Sequence, residues 1–297
     1  MCIVLDYIQK YPLRAKQILG INYEQFQSLL KAAAEKHLKM KKENEKQKVR
    51  INSPGGGRKE LLSTSEQICL CLFYLRQIPT FEILGMLFSV SKSEANATFH
   101  YWRKILREIL PCSLLEQVGD QEGDLIIVQE ILTSFKLLVD SVEQPIDRPS
   151  DNEEQKKFFS GKKKQHTLKS QVVGLPEAKD IVDIEVGFPG PTADINLFRQ
   201  QQTKFDEGQE FEGDKGYQGG NNITTPHKKK RNQKLSDQQK EENKVLSSKR
   251  IFVEHLIRMI KIFQIASQRF RLNSDVYKQI ILIVCGLVRL RIGALVL

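Results

Sequence analysis

The feature that most constrains this chain is a change in the period of its apolar residues near Gly119. Before it, apolar side chains recur every three or four residues, the spacing that lays one stripe along a helix. After it, short apolar runs bounded by Gly, Pro or charge clusters read as strands. With 297 residues and 40% hydrophobic content, the chain can build one large domain and a smaller module. The expectation is an α/β domain, a mixed sheet flanked by helices, preceded by an all-α module.

Residues 1–57 read as a helical arm and linker. Tyr23, Phe26, Leu29 and Leu30 share helical spacing, a Lys/Glu-rich run follows over 36–50, and the Pro- and Gly-rich stretch 52–58 breaks the pattern. Residues 58–118 hold three helical periods, 65–76, 80–88 and 92–110, with Thr80 and Ser91 as N-caps. The short break Ser89-Val90-Ser91 suits a helix-turn-helix. In the third period Ala95, Phe99, Trp102, Leu106 and Ile109 share one face, and Lys92, Asn96, His100, Arg103 and Arg107 the other. That polar stripe is either a solvated face or one that reads DNA.

Charge favours the second reading. Lys and Arg outnumber Asp and Glu by 46 to 36, a net +10 that suits a polyanionic partner, nucleic acid first. Five cysteines, Cys2, Cys69, Cys71, Cys112 and Cys285, are scattered without zinc-ligand spacing and fit a reduced, cytoplasmic setting. The N-terminal apolar run is too short for a signal peptide. The apolar stretch 276–297 is interrupted by Lys278, Arg289 and Arg291, so it reads as a buried terminal helix and not a membrane span.

Over 119–297 strands are expected at 135–140, 165–175, 180–188 and 210–214, helices at 193–202, 250–270 and 276–291, and a polar loop or inserted helical excursion at 223–249. Asp140 ends an apolar run, and Asp214 follows a strand and precedes Lys215-Gly216-Tyr217, so two carboxylates at strand ends can converge. An acid there is more often only a turn former. On the helix beginning at residue 250, Arg250, Glu254, Arg258 and Lys261 fall within an arc of roughly 80°, with apolar residues over most of the remainder. A charge on a mainly buried helix needs a partner or a metal. Among other acids, Glu143, Asp147 and Asp183 are less well placed, and Asp194 reads as an N-cap. His100, His166 and His255 lack mutual metal spacing. Ser160-Gly161-Lys162 is not a P-loop.

Together these blocks resemble insertion-sequence transposases of the DDE superfamily, in which a helix-turn-helix precedes an RNase H-like core. The resemblance spans about residues 60–295. It rests on Leu138-Val139-Asp140-Ser141, on Phe159-Ser160-Gly161-Lys162 through Lys169, on Gly213-Asp214-Lys215-Gly216-Tyr217, and on Arg250-x3-Glu254-x6-Lys261. It implies that Asp140, Asp214 and Glu254 are catalytic acids ligating divalent metal, Mg2+ or Mn2+, as a pair of ions. Arg250 and Lys261 match the basic partners of the glutamate helix. Ser247 stands where relatives usually carry tyrosine.

The implied reaction is metal-dependent cleavage at transposon ends followed by strand transfer. Its partners would be terminal inverted repeats, target DNA and a second copy of the chain, with no membrane. Lys92, Asn96, His100 and Arg103 are the candidate DNA contacts, and lysine clusters at 156–169 and 227–250 flank the acids. An inactive DNA-binding remnant, or a nuclease without strand transfer, is the alternative.

Overall fold

The computed structural model describes residues 3–46, 60–119, 122–229 and 234–297; the expected linker at 52–58 lies outside the described residues. The chain forms two compact units. One comprises Met1–Leu110, Phe263–Ile265 and Leu295–Leu297, the other Pro111–Ile262 and Ala266–Ala294.

The first unit contains α1 (Ile3–Lys10), α2 (Ala15–Ile18), α3 (Tyr23–Lys46), α4 (Thr64–Gln77), α5 (Phe81–Phe88) and α6 (Lys92–Ile109). The starts of α4, α5 and α6 are set by hydroxyls: Ser63, Thr80 and Ser91 accept the backbone N–H groups of Glu66, Ile83 and Glu94. Between α5 and α6, Ser89 takes a left-handed conformation. The turn then folds back so tightly that a Cβ on Gly85 would come within 2.6 Å of the Val90 carbonyl oxygen. The arm belongs to this unit as well. Phe26, Leu29 and Ala33 of α3 are fully buried, His37 stacks on Trp102 with ring centroids 5.2 Å apart, and Lys36 pairs with Glu108 at 2.6 Å.

The second unit contains α7 (Leu114–Val118), α8 (Glu122–Leu132), β1 (Leu137–Pro145), α9 (Asn152–Phe158), β2 (Phe159–Ser160), β3 (Gln165–Gly174), β4 (Ile181–Pro189), α10 (Asp194–Gln202), β5 (Phe211–Glu212), β6 (Ile223–Thr224), α11 (Asp237–Lys261) and α12 (Tyr277–Ile292). Across the sheet the order is β4-β3-β1-β5-β6, and β2 pairs with the start of β3. β1, β3 and β4 are antiparallel neighbours, whereas β5 runs parallel to β1 and β6 parallel to β5. Three antiparallel strands extended on one side by two parallel ones is the RNase H-like arrangement expected.

One face of the sheet buries Leu137, Val139, Val173, Val182 and Phe211 with Phe198 of α10 and Tyr217. α11 and α12 pack on β1, β3 and β4, and α11 approaches so closely that a Cβ on Gly174 would meet Leu256 Cδ1 at 2.5 Å.

Several elements differ from expectation. α8 and α9 were not foreseen, because α8 leaves Ile126, Ile127 and Ile131 exposed and so lacks a clean stripe. The 223–249 segment, expected as a loop or an inserted helical excursion, contributes β6 and takes the helical alternative from Asp237 onward, as the first half of α11. Ser236 and Gln239 form a capping box there, and the Gln, Lys and Glu residues that made the segment look loop-like are good helix formers. Finally, α11 ends at Lys261, not at 270.

Arg289, in the last turn of α12, is fully buried. Its Nε and Nη2 donate to the two Asp180 carboxylate oxygens at 2.7 and 2.8 Å. Nη1 reaches the Pro111 and Ser113 carbonyls and Nη2 the Gln117 side chain. The charge that breaks the terminal apolar run is thus a structural anchor. Among the described residues no helix is long and apolar enough to cross a membrane.

Candidate active site

Asp140 is not at a strand end, because β1 continues to Pro145. What ends is its neighbour. β5 pairs with β1 only at Leu137↔Phe211 and Leu138↔Glu212, so Asp140 lies just past the last parallel pair, beside a notch in the sheet. Two residues beyond that pair on one strand is Asp140, and two residues beyond it on the other is Asp214. Because the strands run the same way, the register itself carries the two carboxylates forward side by side.

Each is fixed locally. Asp140 accepts the Ser141 N–H at 2.8 Å. Asp214 caps the 3-10 turn Lys215–Tyr217 by accepting the Gly216 N–H at 2.7 Å. The glycines around Asp214 are steric requirements: a Cβ on Gly213 would lie 2.8 Å from the Tyr217 ring, and one on Gly216 would lie 2.8 Å from Asp214 Oδ1 and 2.9 Å from Asp194 Oδ2.

Burial pushes the Asp140 carboxyl up to about 6 from an ordinary 3.8. The Ser141 N–H and Arg250 pull it down, and the Asp214 and Glu254 charges add to the rise. Asp140 therefore feels the charges of both other predicted acids through space. They do not form a ready ligand set: among the described residues, no three His, Cys, Asp or Glu side chains are grouped to hold an ion. Glu254 instead contacts Arg250 at 3.4 Å, and its side chain is 55% exposed. The expectation that Glu254 is a costly buried charge is thereby corrected. The buried face of α11 comprises Val253, Leu256, Ile257 and Ile260. Lys261, also exposed, is seven residues further on, roughly 10 Å along the helix axis.

The donor chemistry nevertheless suits a divalent cation. The donors are hard carboxylate oxygens, and the field at Asp140 favours protonation, so a cation would relieve it. A further acid belongs to the surroundings. Glu212, directly before Gly213, is 1% exposed, and burial raises its pKa against the pull of Lys249, Lys136 and Arg250. Its Oε1 and the Arg250 Nε are buried without hydrogen-bond partners among the described residues.

Asp194 is not the cap of α10. Ala193 holds that position without a side-chain bond, and the Asp194 carboxylate accepts from Ser141 Oγ at 2.7 Å and Lys169 Nζ at 2.9 Å. Lys169 is likewise not one of a row of free lysines. It is 6% exposed, unlike Lys156, Lys157, Lys162, Lys163 and Lys164, which all face solvent. The hydroxyl of Tyr217 bonds the Ser141 side chain, and the group is held well above its ordinary range by burial and by Asp140, Asp194 and Asp214. From the sequence Asp194 reads as an N-cap and Lys169 as one of a row of lysines, because nothing local marks a pair 25 residues apart.

The stripe on α6 also needs correction. Arg103 is 9% exposed and donates to His100 Nδ1 at 2.9 Å, while burial lowers the pKa of His100 with help from Arg103 and Lys104. Lys92 is exposed and Asn96 half-buried; the open face runs through Ser93, Ala97, Tyr101 and Lys104. On the second lysine cluster, Lys230 and Arg231 lie outside the described residues.

Comparison with known proteins places the chain beside families and relatives of stated description. Residues 139–289 match the family model described as "DDE superfamily endonuclease". Residues 59–112 match "Helix-turn-helix of DDE superfamily endonuclease". The chain is 33% identical over 262 residues to the "Probable transposase for insertion sequence element IS702" of Microchaete diplosiphon, covering 87% of this chain and 90% of that one. It is also similar to a chain in the "Crystal structure of a pre-cleavage Mos1 transpososome", at 11% identity and a TM-score of 0.23, covering 85% of this chain and 83% of that one.

Proposed function

Because the chain belongs to the DDE superfamily of insertion-sequence transposases, we propose that Asp140, Asp214 and Glu254 are the acids with which it cuts and joins DNA. The protein is a DNA transposase with an endonuclease centre, and its superfamily works with divalent metal ions. We assign Mg2+, replaceable by Mn2+, as two ions held by those three carboxylates. The observation that carries this reading is the parallel register that brings Asp140 and Asp214 forward from Leu138↔Glu212, with the Glu254 charge bearing on Asp140.

When bound, the ions neutralise the phosphodiester and activate a water or 3′-hydroxyl. The chain's own residues prepare that state. The Ser141 N–H holds the Asp140 carboxylate in one orientation, and the Gly216 N–H does the same for Asp214. Glu254 has to leave Arg250 to join them, and a pair four residues apart whose glutamate is exposed holds it by only about 0.3–0.5 kcal/mol. Arg250, once released, can hold a phosphate in bidentate fashion, and Lys261 can contact another further along the same stripe.

The partners follow from the reaction: terminal inverted repeats, target DNA, and a second copy of the chain, since two ends are cut in concert. The setting is the prokaryotic cytoplasm, on DNA. The functional division is the arm and linker at 1–57, the DNA-recognition helices at 58–118 and the catalytic domain at 119–297. The exposed and buried residues of α6 should separate in binding assays. Lys92→Ala is expected to weaken DNA binding uniformly across sequences and reduce the salt slope by about one. Arg103→Met is expected to lower thermal stability and leave that slope unchanged; a reduced slope would restore Arg103 as a contact.

A gel assay on DNA carrying the element's ends, with Mg2+ or Mn2+, tests the whole reading. Nicks at the ends followed by joined products are expected. Binding without nicks would overturn it in favour of an inactive remnant, and nicks without joining in favour of a nuclease.

A further inference from the structure

The strand that carries Asp140 presents the next residue, Ser141, to the opposite face of the sheet, where α10 packs. There the Ser141 hydroxyl donates to Asp194 Oδ1 at 2.7 Å. Lys169 on β3 donates to the same oxygen at 2.9 Å and to the Thr192 carbonyl at 2.6 Å. A lysine 6% exposed is costly unless its charge is matched and hydrogen-bonded, and here both conditions are met. The other Asp194 oxygen, Oδ2, abuts Gly216, where a Cβ would lie 2.9 Å from it. Gly216 is the residue whose N–H holds Asp214, and Ser141 is the residue whose N–H holds Asp140.

One carboxylate therefore touches the supports of both acids that face the notch. We infer that Asp194, pinned by Lys169, is a positioning residue. It locks the strand at Ser141 and the turn at Gly216 in one arrangement, and so fixes the spacing and aim of Asp140 and Asp214. It is not itself a metal ligand, because its charge is matched by Lys169 and its Oδ1 already accepts two donors. The inference rests on reading Asp140 and Asp214 as metal ligands. It adds a residue on the far face of the sheet that acts on the ion only through them.

A merely structural pair would tie α10 to β3 and affect stability alone, whereas a positioning pair must affect metal affinity in protein that is still folded. Ser141→Ala is the cleanest probe, since it removes the hydroxyl link without changing any charge, and Ser141→Thr restores a hydroxyl. Mn2+ binding to the full-length, DNA-free protein is read by electron paramagnetic resonance of free Mn2+, beside circular dichroism melts. Ser141→Ala is expected to weaken Mn2+ binding about tenfold, the lower end of the roughly 10- to 100-fold cost of removing an outer support of a metal ligand. Ser141→Thr should recover most of that loss, and Asp194→Ala should lose tenfold or more. Unchanged Mn2+ affinity in folded Ser141→Ala would overturn the inference even if Asp194→Ala failed to fold. Asp140→Ala in the same titration keeps the two readings apart. If it abolishes binding while Ser141→Ala does not alter it, positioning fails and the acid assignment stands; if it too leaves affinity unchanged, the acid assignment fails.

Discussion

Replacing Asp140 by asparagine is expected to abolish DNA cleavage while making the metal-free protein more heat-stable at neutral pH. Asparagine fills the same space and can still accept the Ser141 N–H, so the strand keeps its shape. What goes is the charge, and with it a hard anionic donor in the middle of the proposed metal site. Removing one electrostatic group of this kind costs a catalytic rate about a hundred- to a thousandfold, and loss of a ligand should reach or exceed the upper figure.

The stability gain has the opposite sign because the folded protein pays to hold Asp140 ionised. Its carboxyl titrates at about 6 when folded, against 3.8 ordinarily. Well below the ordinary value of 3.8 both folded and unfolded chains are protonated there, and the site costs nothing. Between the two values the unfolded chain has released a proton that the folded chain retains, so stability falls as pH rises. Above pH 6 the penalty is complete. The shift corresponds to roughly 3 kcal/mol at most, and screening at a half-buried site reduces it to about 1–2 kcal/mol. Asp140→Asn should therefore raise Tm at pH 7.5 by a few degrees and leave it unchanged at a pH well below 3.8. Saturating Mg2+ should reverse the order by stabilising only the wild type. A variant that melts at or below the wild-type temperature at pH 7.5 without metal would mean that Asp140 carries no such penalty.

Which parts of this centre could be read from the sequence depends on how local each cause is. Helix starts were legible because a cap is a three-residue event: Thr80 and Ser91 sit where their hydroxyls were expected to act. The strands around Asp140 were legible as apolar runs, but the end of pairing was not. The Asp140 notch exists because β5 is two residues long, and strand pairing is a long-range property. Glu254 departs from the burial argument made for its helix. The cost of burying a charge, invoked for α11, applies to Asp140, Glu212 and Lys169, while Glu254 is exposed on its helix. The pattern on α6 failed for a related reason. A helical projection separates polar from apolar residues, and Arg103 belongs to the polar side, yet it is buried within the first unit. Asp194 looked like an N-cap because it stands at a helix start, and only the fold reveals Lys169 opposite it.

Replacing Arg289 by methionine is the substitution expected to do most harm to the second unit away from the proposed chemistry. Methionine nearly matches the aliphatic stem in length and adds no bulk, so steric strain is not the issue. The guanidinium it removes makes five hydrogen bonds, two to the Asp180 carboxylate and three to groups between Pro111 and Gln117. Asp180 is 6% exposed, and with Arg289 gone the donor left to its carboxylate among the described residues is the Ile181 N–H. An uncompensated buried charge of this kind costs about 3–5 kcal/mol, a large share of the 5–15 kcal/mol that holds a typical domain together. Adding Asp180→Leu to Arg289→Met should return part of the loss by removing the stranded charge, but not all of it, because the Pro111 and Ser113 carbonyls still lack their donor. Urea melts of the single and double variants give both quantities. A single-variant loss under about 1 kcal/mol would mean that solvent reaches Asp180 and that the anchor is weaker than its geometry implies. A double variant no more stable than the single one would place the cost in the two carbonyls and not in the charge. DNA binding by the helix-turn-helix should survive in either case, since those helices belong to the first unit.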